Sequence, residues 1–297
     1  MLGTAIRQAL VTRQAEIQQL VRRHPADAAE IQWDPTSASP LADTDPLERL
    51  QTTGLQAAIH LSGANVAAHR WTPAYKRIII SSRVDSTRAL ATMLASLSRP
   101  PQTLLVASAT GIFGDRGDEI LDERASTGKG FLADVCRQWE AAARPAVDAG
   151  IRVVHLRLGV VLARKEGALA KLLPLFRLGL GGRLGSGQQW MSWINLADAV
   201  AAIFFALDTP ELAGPLNLTA PAPVTNAAFT RAIARAVHRP AVLPAPAFAL
   251  RLALGEMTDE TLLSSARAIP ARLTTAGFKF VYPTIDEALA AALQPQR

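Results

Sequence analysis

The strongest constraint on this chain is an alternation that runs from its start to about residue 218, in which short apolar, β-branched runs are separated by longer stretches of helical period. Strands are expected at Glu16–Val21, Glu30–Trp33, Ala57–Leu61, Thr103–Ser108, Val153–Leu158 and Leu216–Thr219. Helices expected at Leu2–Thr12, Pro73–Leu97, Phe131–Ala149, Ala168–Leu178 and Leu196–Leu207 lie between most of them. Strands that are apolar on both faces need helices above and below. The alternation therefore predicts an α/β fold, a doubly wound parallel sheet with helices on both faces and its ligand beyond the carboxyl ends of the strands. At the longest helix, Thr72 can cap the first turn and Pro73 has no N–H to leave unpaired.

Past Ala220 the pattern changes. Prolines at 221, 223, 240, 244 and 246 punctuate the chain around one more helix, Asn226–Val237, and an Ala/Leu-rich tail follows. Two units are expected: a doubly wound α/β domain over 1–242, and a small, mostly helical unit over 243–297.

With 49% apolar and 19% charged residues among 297, the chain has enough apolar surface to offset its ordering entropy, which excludes a disordered protein. The stretch Ala199–Leu207 is apolar throughout but far shorter than the roughly 18 residues of a membrane helix. A lone cysteine, Cys136, and the absence of a basic head with an apolar stretch after Met1 fit a reducing cytoplasm. The net charge of +6 raises the possibility of a nucleic-acid partner, but the basic residues are dispersed and aromatics are not interleaved with them. The expected partner is a small molecule, with no nucleic acid, no membrane and no metal, and the expected state is a monomer or homodimer.

Several segments could carry chemistry. Gly3, in the opening of the first helical pattern, resembles the last glycine of a phosphate-binding turn. In dinucleotide folds the end of the second strand meets the adenosine ribose. Arg22 and Arg23 there suit a 2′-phosphate, so the expected cofactor is NADP rather than NAD, the alternative being a solvated basic turn. Leu61-Ser62-Gly63 ends a buried strand in small residues, as a cofactor wall or a plain tight turn would. Arg83 falls on the apolar stripe of Ile79, Leu90 and Leu94, and an inward arginine needs an anion or a carboxylate. Ser108, at the end of the next strand, is the one candidate catalytic residue, able to bond a substrate oxygen; its alternative role is a turn hydroxyl.

This order of pieces, with His69-Arg70-Trp71, Trp139-Glu140, the stretch Phe176–Ile194, Gly255-Glu256-Met257 and Ala276-Gly277-Phe278, resembles the extended short-chain dehydrogenase/reductase superfamily. It is most similar to the atypical sugar-nucleotide-epimerase-like branch with a small C-terminal domain. The resemblance implies a Rossmann-type sheet over 1–242 that binds NAD(P), adds Val161 to the cofactor contacts, and puts the substrate in a pocket covered by the C-terminal unit, 243–297. It also exposes departures. The family's tyrosine and lysine, an acid/base pair one helical turn apart, fall at Leu132 and Cys136, and neither can do that work. The arginine that grips a diphosphate is replaced within Trp190-Met191-Ser192-Trp193. Trp190, Met191 and Trp193, with Ile112 and Phe113, are expected to line a pocket for a less charged substrate, the alternative being plain core. Loss of the pair leaves two readings, an epimerase or oxidoreductase with another proton donor, and a dinucleotide-binding sensor or scaffold without turnover. Since the sequence begins inside the expected glycine turn, the family's first strand and first glycines are expected to be missing, and an upstream extension is expected to raise stability and NADP binding.

Overall fold

The computed structural model describes residues 1–36, 50 and 54–293. Its centre is a four-stranded parallel sheet of β3 (Ala57–His60), β4 (Thr103–Ala109), β6 (Arg152–Leu158) and β10 (Gly214–Leu218), in the order β10-β6-β4-β3. A second parallel pair, β1 (Gln19–Val21) with β2 (Glu30–Gln32), carries Leu20 and Ile31 into the same apolar cluster as Ala58 of β3. Hydrogen-bonded pairing joins β1 to β2 and β3 to β4, and does not connect the two sheets.

Period-two alternation sends side chains to both faces of the central sheet. Leu104, Val106 and Val153 pack with Leu90 and Leu94 of α2 (Pro73–Ser96), Trp139 of α3 (Phe131–Ala141) and Ala146 of α4 (Arg144–Asp148). On the other face Leu105, Val154, Leu156 and Leu216 meet Ile6 of α1 (Leu2–Thr12) and Ala202 and Ile203 of α6 (Leu196–Asp208). Helices thus cover both faces, as a doubly wound sheet requires. Thr72 caps α2 as expected, accepting from the Tyr75 N–H at 3.2 Å.

The single helix expected over Phe131–Ala149 is two. Pro145 has no N–H to give the carbonyl four residues back, and the ladder breaks at Ala142–Ala143. Short strands that apolar periodicity does not announce complete the fold: β7 (Val160–Leu162) pairs with β9 (Trp193–Asn195), and β8 (Trp190–Met191) with β11 (Val224–Thr225). From the last part of the chain, β12 (Arg267–Ala268) joins β5 (Ile120–Leu121), which follows the central strand β4. A third apolar cluster gathers α5 (Gly167–Arg177), α7 (Asn226–Val237) and α10 (Ile285–Leu293) around Trp193.

Candidate functional site

The carboxyl ends of β4 and β6 place Ser108 and Arg157 side by side, paired in register across the sheet. Both face Glu140 of α3. Arg157 grips that carboxylate through two bonds, Nε to Oε1 at 2.8 Å and Nη2 to Oε2 at 3.0 Å, and the Ser108 hydroxyl donates to Oε1 at 2.8 Å. The pair is almost closed to water, with Arg157 6% and Glu140 13% exposed, so the fork geometry has to match the cost of desolvating both charges. Burial lowers the pKa of His155, two residues before Arg157, and its Nδ1 has no partner among the described residues.

A second buried cation sits on α2. Ile79, Leu90 and Leu94 are core, and Arg83 on the same stripe points inward as expected. Among the described residues its partner is neither a carboxylate nor another charge. Nη2 donates to the carbonyl of Ala64 at 2.9 Å, Nη1 to that of Ile79 at 3.2 Å, and the guanidinium lies 5.1 Å from the Trp139 ring centre. Burial lowers its pKa, an effect that a carboxylate at hand would oppose. The bonded turn is Ser62-Gly63-Ala64, where a Cβ at position 63 would stand 3.1 Å from Arg83 Cζ. Ser82 Oγ accepts from the Ala64 N–H at 3.0 Å, and the Tyr75 hydroxyl donates to the carbonyl of Asn65. One helix therefore pins the turn at three points. Gly3 reaches the same place, since a Cβ there would lie 4.0 Å from Leu61.

A family model described as "NAD dependent epimerase/dehydratase family" matches residues 1–218, and a domain of unknown function, DUF1731, matches 245–292. The chain belongs to the NAD dependent epimerase/dehydratase family. It is 45% identical to the epimerase family protein ML0860 of Mycobacterium leprae over 98% of this chain and 92% of that one. Among solved structures, the human epimerase family protein SDR39U1 (isoform 2), crystallised with NADPH, superposes with a TM-score of 0.86 at 30% identity, covering 98% of this chain and 95% of its own. A nucleoside-diphosphate sugar epimerase of Corynebacterium glutamicum gives 0.79 at 34% identity, over 99% of this chain and 56% of that one.

Leu132 and Cys136, where the sequence suggested the place of an acid/base pair, present apolar surface. Cys136 is buried beside Ile112 and Phe113, and burial pushes its thiol up to about 12, so it holds its proton at any physiological pH. Leu132 lies against Gly111, 3.6 Å from the place of a Cβ there. Its own N–H and that of Phe131 donate at 3.0 Å to the carboxylate of Glu260, which the C-terminal part of the chain presents at the first turn of α3.

The residues expected to line a substrate pocket separate. Ile112 and Phe113 are closed core at 1% and 0% exposure, as is Trp193 at 0%, with its Nε1 donating to the carbonyl of Ala222 at 3.0 Å. Trp190 is half-buried on another side, donating to Asp118 at 2.6 Å, and Met191 packs on the Trp193 cluster. The two tryptophans do not form one wall. At the ribose end, Arg23 is held by Glu30 through two bonds of 2.6 and 2.5 Å, while Arg22 is exposed and without an ion pair among the described residues. Val161 stands on β7, its carbonyl beside Gly167.

Sequence reading did not pick out Glu140, Arg157 or Glu260 as functional. A charged residue between two leucines, one step from the end of β6, was the available signal for Arg157. Nothing local announces its partner, 17 residues away on a helix.

Proposed function

We propose that the protein binds NADP in preference to NAD and uses it on a small substrate that carries less charge than a nucleotide sugar. The observation that carries this reading is Arg83, a largely buried guanidinium with no carboxylate partner among the described residues, set against a glycine turn at the sheet's edge strand. An anionic or hydroxyl oxygen of a dinucleotide at that turn completes the shell that the two carbonyls begin. The residues present fit such a group. Gly3 and the uncapped start of α1 offer free backbone N–H groups, Leu61, Ser62 and Gly63 a close backbone wall, Val161 an apolar contact, and Arg22 and Arg23 charge at the ribose end. When bound, the nicotinamide supplies a hydride donor or acceptor. Ser108, already donating to Glu140, can still accept a hydrogen bond from a substrate hydroxyl.

A second reading, binding without turnover, rests on Leu132 and Cys136. Neither side chain can exchange a proton there. The test of the first reading is titration of NADPH and NADH by nicotinamide fluorescence against the wild-type protein and Arg83→Met. Tighter binding of NADPH is expected, with a loss of about ten- to a hundredfold on substitution, the worth of one or two charge-assisted bonds of ~1.5–3 kcal/mol. Unchanged affinity in Arg83→Met, or equal affinity for both dinucleotides in the wild type, overturns it. NADPH consumption against a panel of small ketones and aldehydes then separates turnover from binding alone.

A further inference from the structure

Six arginines among the described residues are buried or half-buried, and five of them have given their N–H groups to the protein. Arg116 bonds Glu119, Arg157 bonds Glu140, and Arg83, Arg152 and Arg272 bond backbone carbonyls. The sixth, Arg267, makes no side-chain hydrogen bond and no ion pair among the described residues. It is nevertheless held in place. Its Cζ lies 4.0 Å from the centre of the Trp190 ring, a cation–π contact that occupies the face of the guanidinium and leaves its N–H edge free.

Both halves of this stack are fixed from behind. Trp190 is bonded through its backbone N–H to Ser265 Oγ at 3.0 Å, through its carbonyl to the Ala266 N–H at 3.2 Å, and through Nε1 to Asp118 at 2.6 Å. Arg267 belongs to β12, paired with β5, and its neighbour Ala268 is locked in the core with Ile112 and Phe113. Alternation along the strand turns Arg267 away from that core. A half-buried guanidinium whose donors are unpaired and whose position is set before any ligand arrives is suited to receiving an anion.

We propose that Arg267 on Trp190 is an anion subsite that takes the single carboxylate of a small organic acid. This rests on the proposed reading of a small substrate less charged than a nucleotide sugar, and it supplies the class of that substrate. One planar guanidinium matches one planar carboxylate through two parallel bonds. The Asp118 carboxylate, held at the indole edge, repels a second negative charge, so a diphosphate is disfavoured. The other charges on this loop are committed: Arg116 pairs with Glu119, and Asp115 accepts from the Ser265 N–H.

Matched acid and amide pairs test the assignment: benzoate with benzamide, and phenylacetate with phenylacetamide. Each is titrated by calorimetry into the full chain, with phenyl phosphate as a further arm. The expected result is that each acid binds at least tenfold more tightly than its amide, that Arg267→Met abolishes the difference, and that Arg267→Lys keeps part of it. NADPH affinity, measured on the same variants, stays unchanged. Equal binding of acid and amide by the wild type, or an acid preference that survives in Arg267→Met, overturns the proposal; phenyl phosphate binding tenfold tighter than benzoate overturns the carboxylate assignment. A wild-type protein that shows the acid preference but binds no NADPH leaves this subsite standing and removes the cofactor reading. Circular dichroism melts of both variants establish that they are folded.

Discussion

Arg157 is buried and Arg83 largely so, and the two differ in what answers their charge. Arg157 is closed into a bidentate pair with Glu140, and Ser108 takes up a further bond to the same carboxylate. Arg83 has two carbonyls, an indole face and no carboxylate. The first arrangement is complete without a ligand. A buried cation met by dipoles alone is less stable than one met by an anion, and the sequence places that incomplete arrangement beside the turn where a dinucleotide is expected. The comparison therefore separates a structural ion pair from a site with capacity to bind, although both look alike as charged residues on apolar patterns.

The largest test of the contrast removes the anion of the complete pair. Glu140→Gln keeps the shape but leaves Arg157 buried without its counter-charge, and a loss of about 3–5 kcal/mol in unfolding free energy is expected in urea denaturation. The double change Glu140→Gln with Arg157→Met is expected to recover a large part of that loss, since no uncompensated charge remains. Arg83→Met, by contrast, is expected to stay within about 1 kcal/mol of the wild type, because its removal orphans no carboxylate. If Arg83→Met is as damaging as Glu140→Gln, the distinction between the two sites fails.

Acid should reach the Arg83 side through His60. This imidazole is 4% exposed, its Nε2 lies 3.2 Å from the Ser86 hydroxyl one turn beyond Arg83, and burial lowers its pKa from 6.5 to about 4. Between those two values the unfolded chain binds a proton that the folded one refuses, so stability falls as the pH drops from about 6.5 towards 4 and is fully present above that window. The drop is about 3 kcal/mol, from 1.36 kcal/mol for each unit of difference. Unfolding measured from pH 7.5 to 4.5 on the wild type and on His60→Gln checks it. A flat difference between the two across that range would show that His60 does not titrate as its burial requires.

How much of this could be read beforehand depends on the range of the interactions involved. The strands and helices of the central sheet were legible because apolar periodicity is local: Leu104 to Val106 and Val153 to Leu156 announce strands buried on both faces, and Thr72-Pro73 fixes the start of α2. Arg83 was legible as inward-facing for the same reason. Its actual partners were not, since a backbone carbonyl leaves no mark on the sequence. Trp190 and Trp193, three residues apart, looked like one wall, but the chain turns from β8 to β9 between them and sends them to different surroundings. The break in the helix at Ala142–Ala143 was signalled by Pro145 and masked by the strong helix preference of the alanines around it.

The smallest expected effect concerns the two arginines at the end of β1, and it sharpens the idea that a committed guanidinium is a poor ligand-binding group. Arg23 already spends both arms of its fork on Glu30, at 2.6 and 2.5 Å, and Glu30 also accepts from the Ala26 N–H at 2.7 Å. To reach a 2′-phosphate, Arg23 would have to give up two charge-assisted bonds for two others, a near-even exchange. Arg22 is exposed and unpaired among the described residues, so a bond it makes to the phosphate displaces only water. Arg22→Ser is therefore expected to reduce the preference for NADPH over NADH by about tenfold, or ~1.4 kcal/mol, and Arg23→Ser by no more than about threefold. Both effects should shrink as salt is raised, because the site is open to solvent. Fluorescence titration of both dinucleotides on each variant, at two salt concentrations, makes the comparison. A larger loss from Arg23→Ser than from Arg22→Ser would mean that the Glu30 pair opens to receive the phosphate, and commitment to a surface carboxylate would then be no guide to which cations are free to bind.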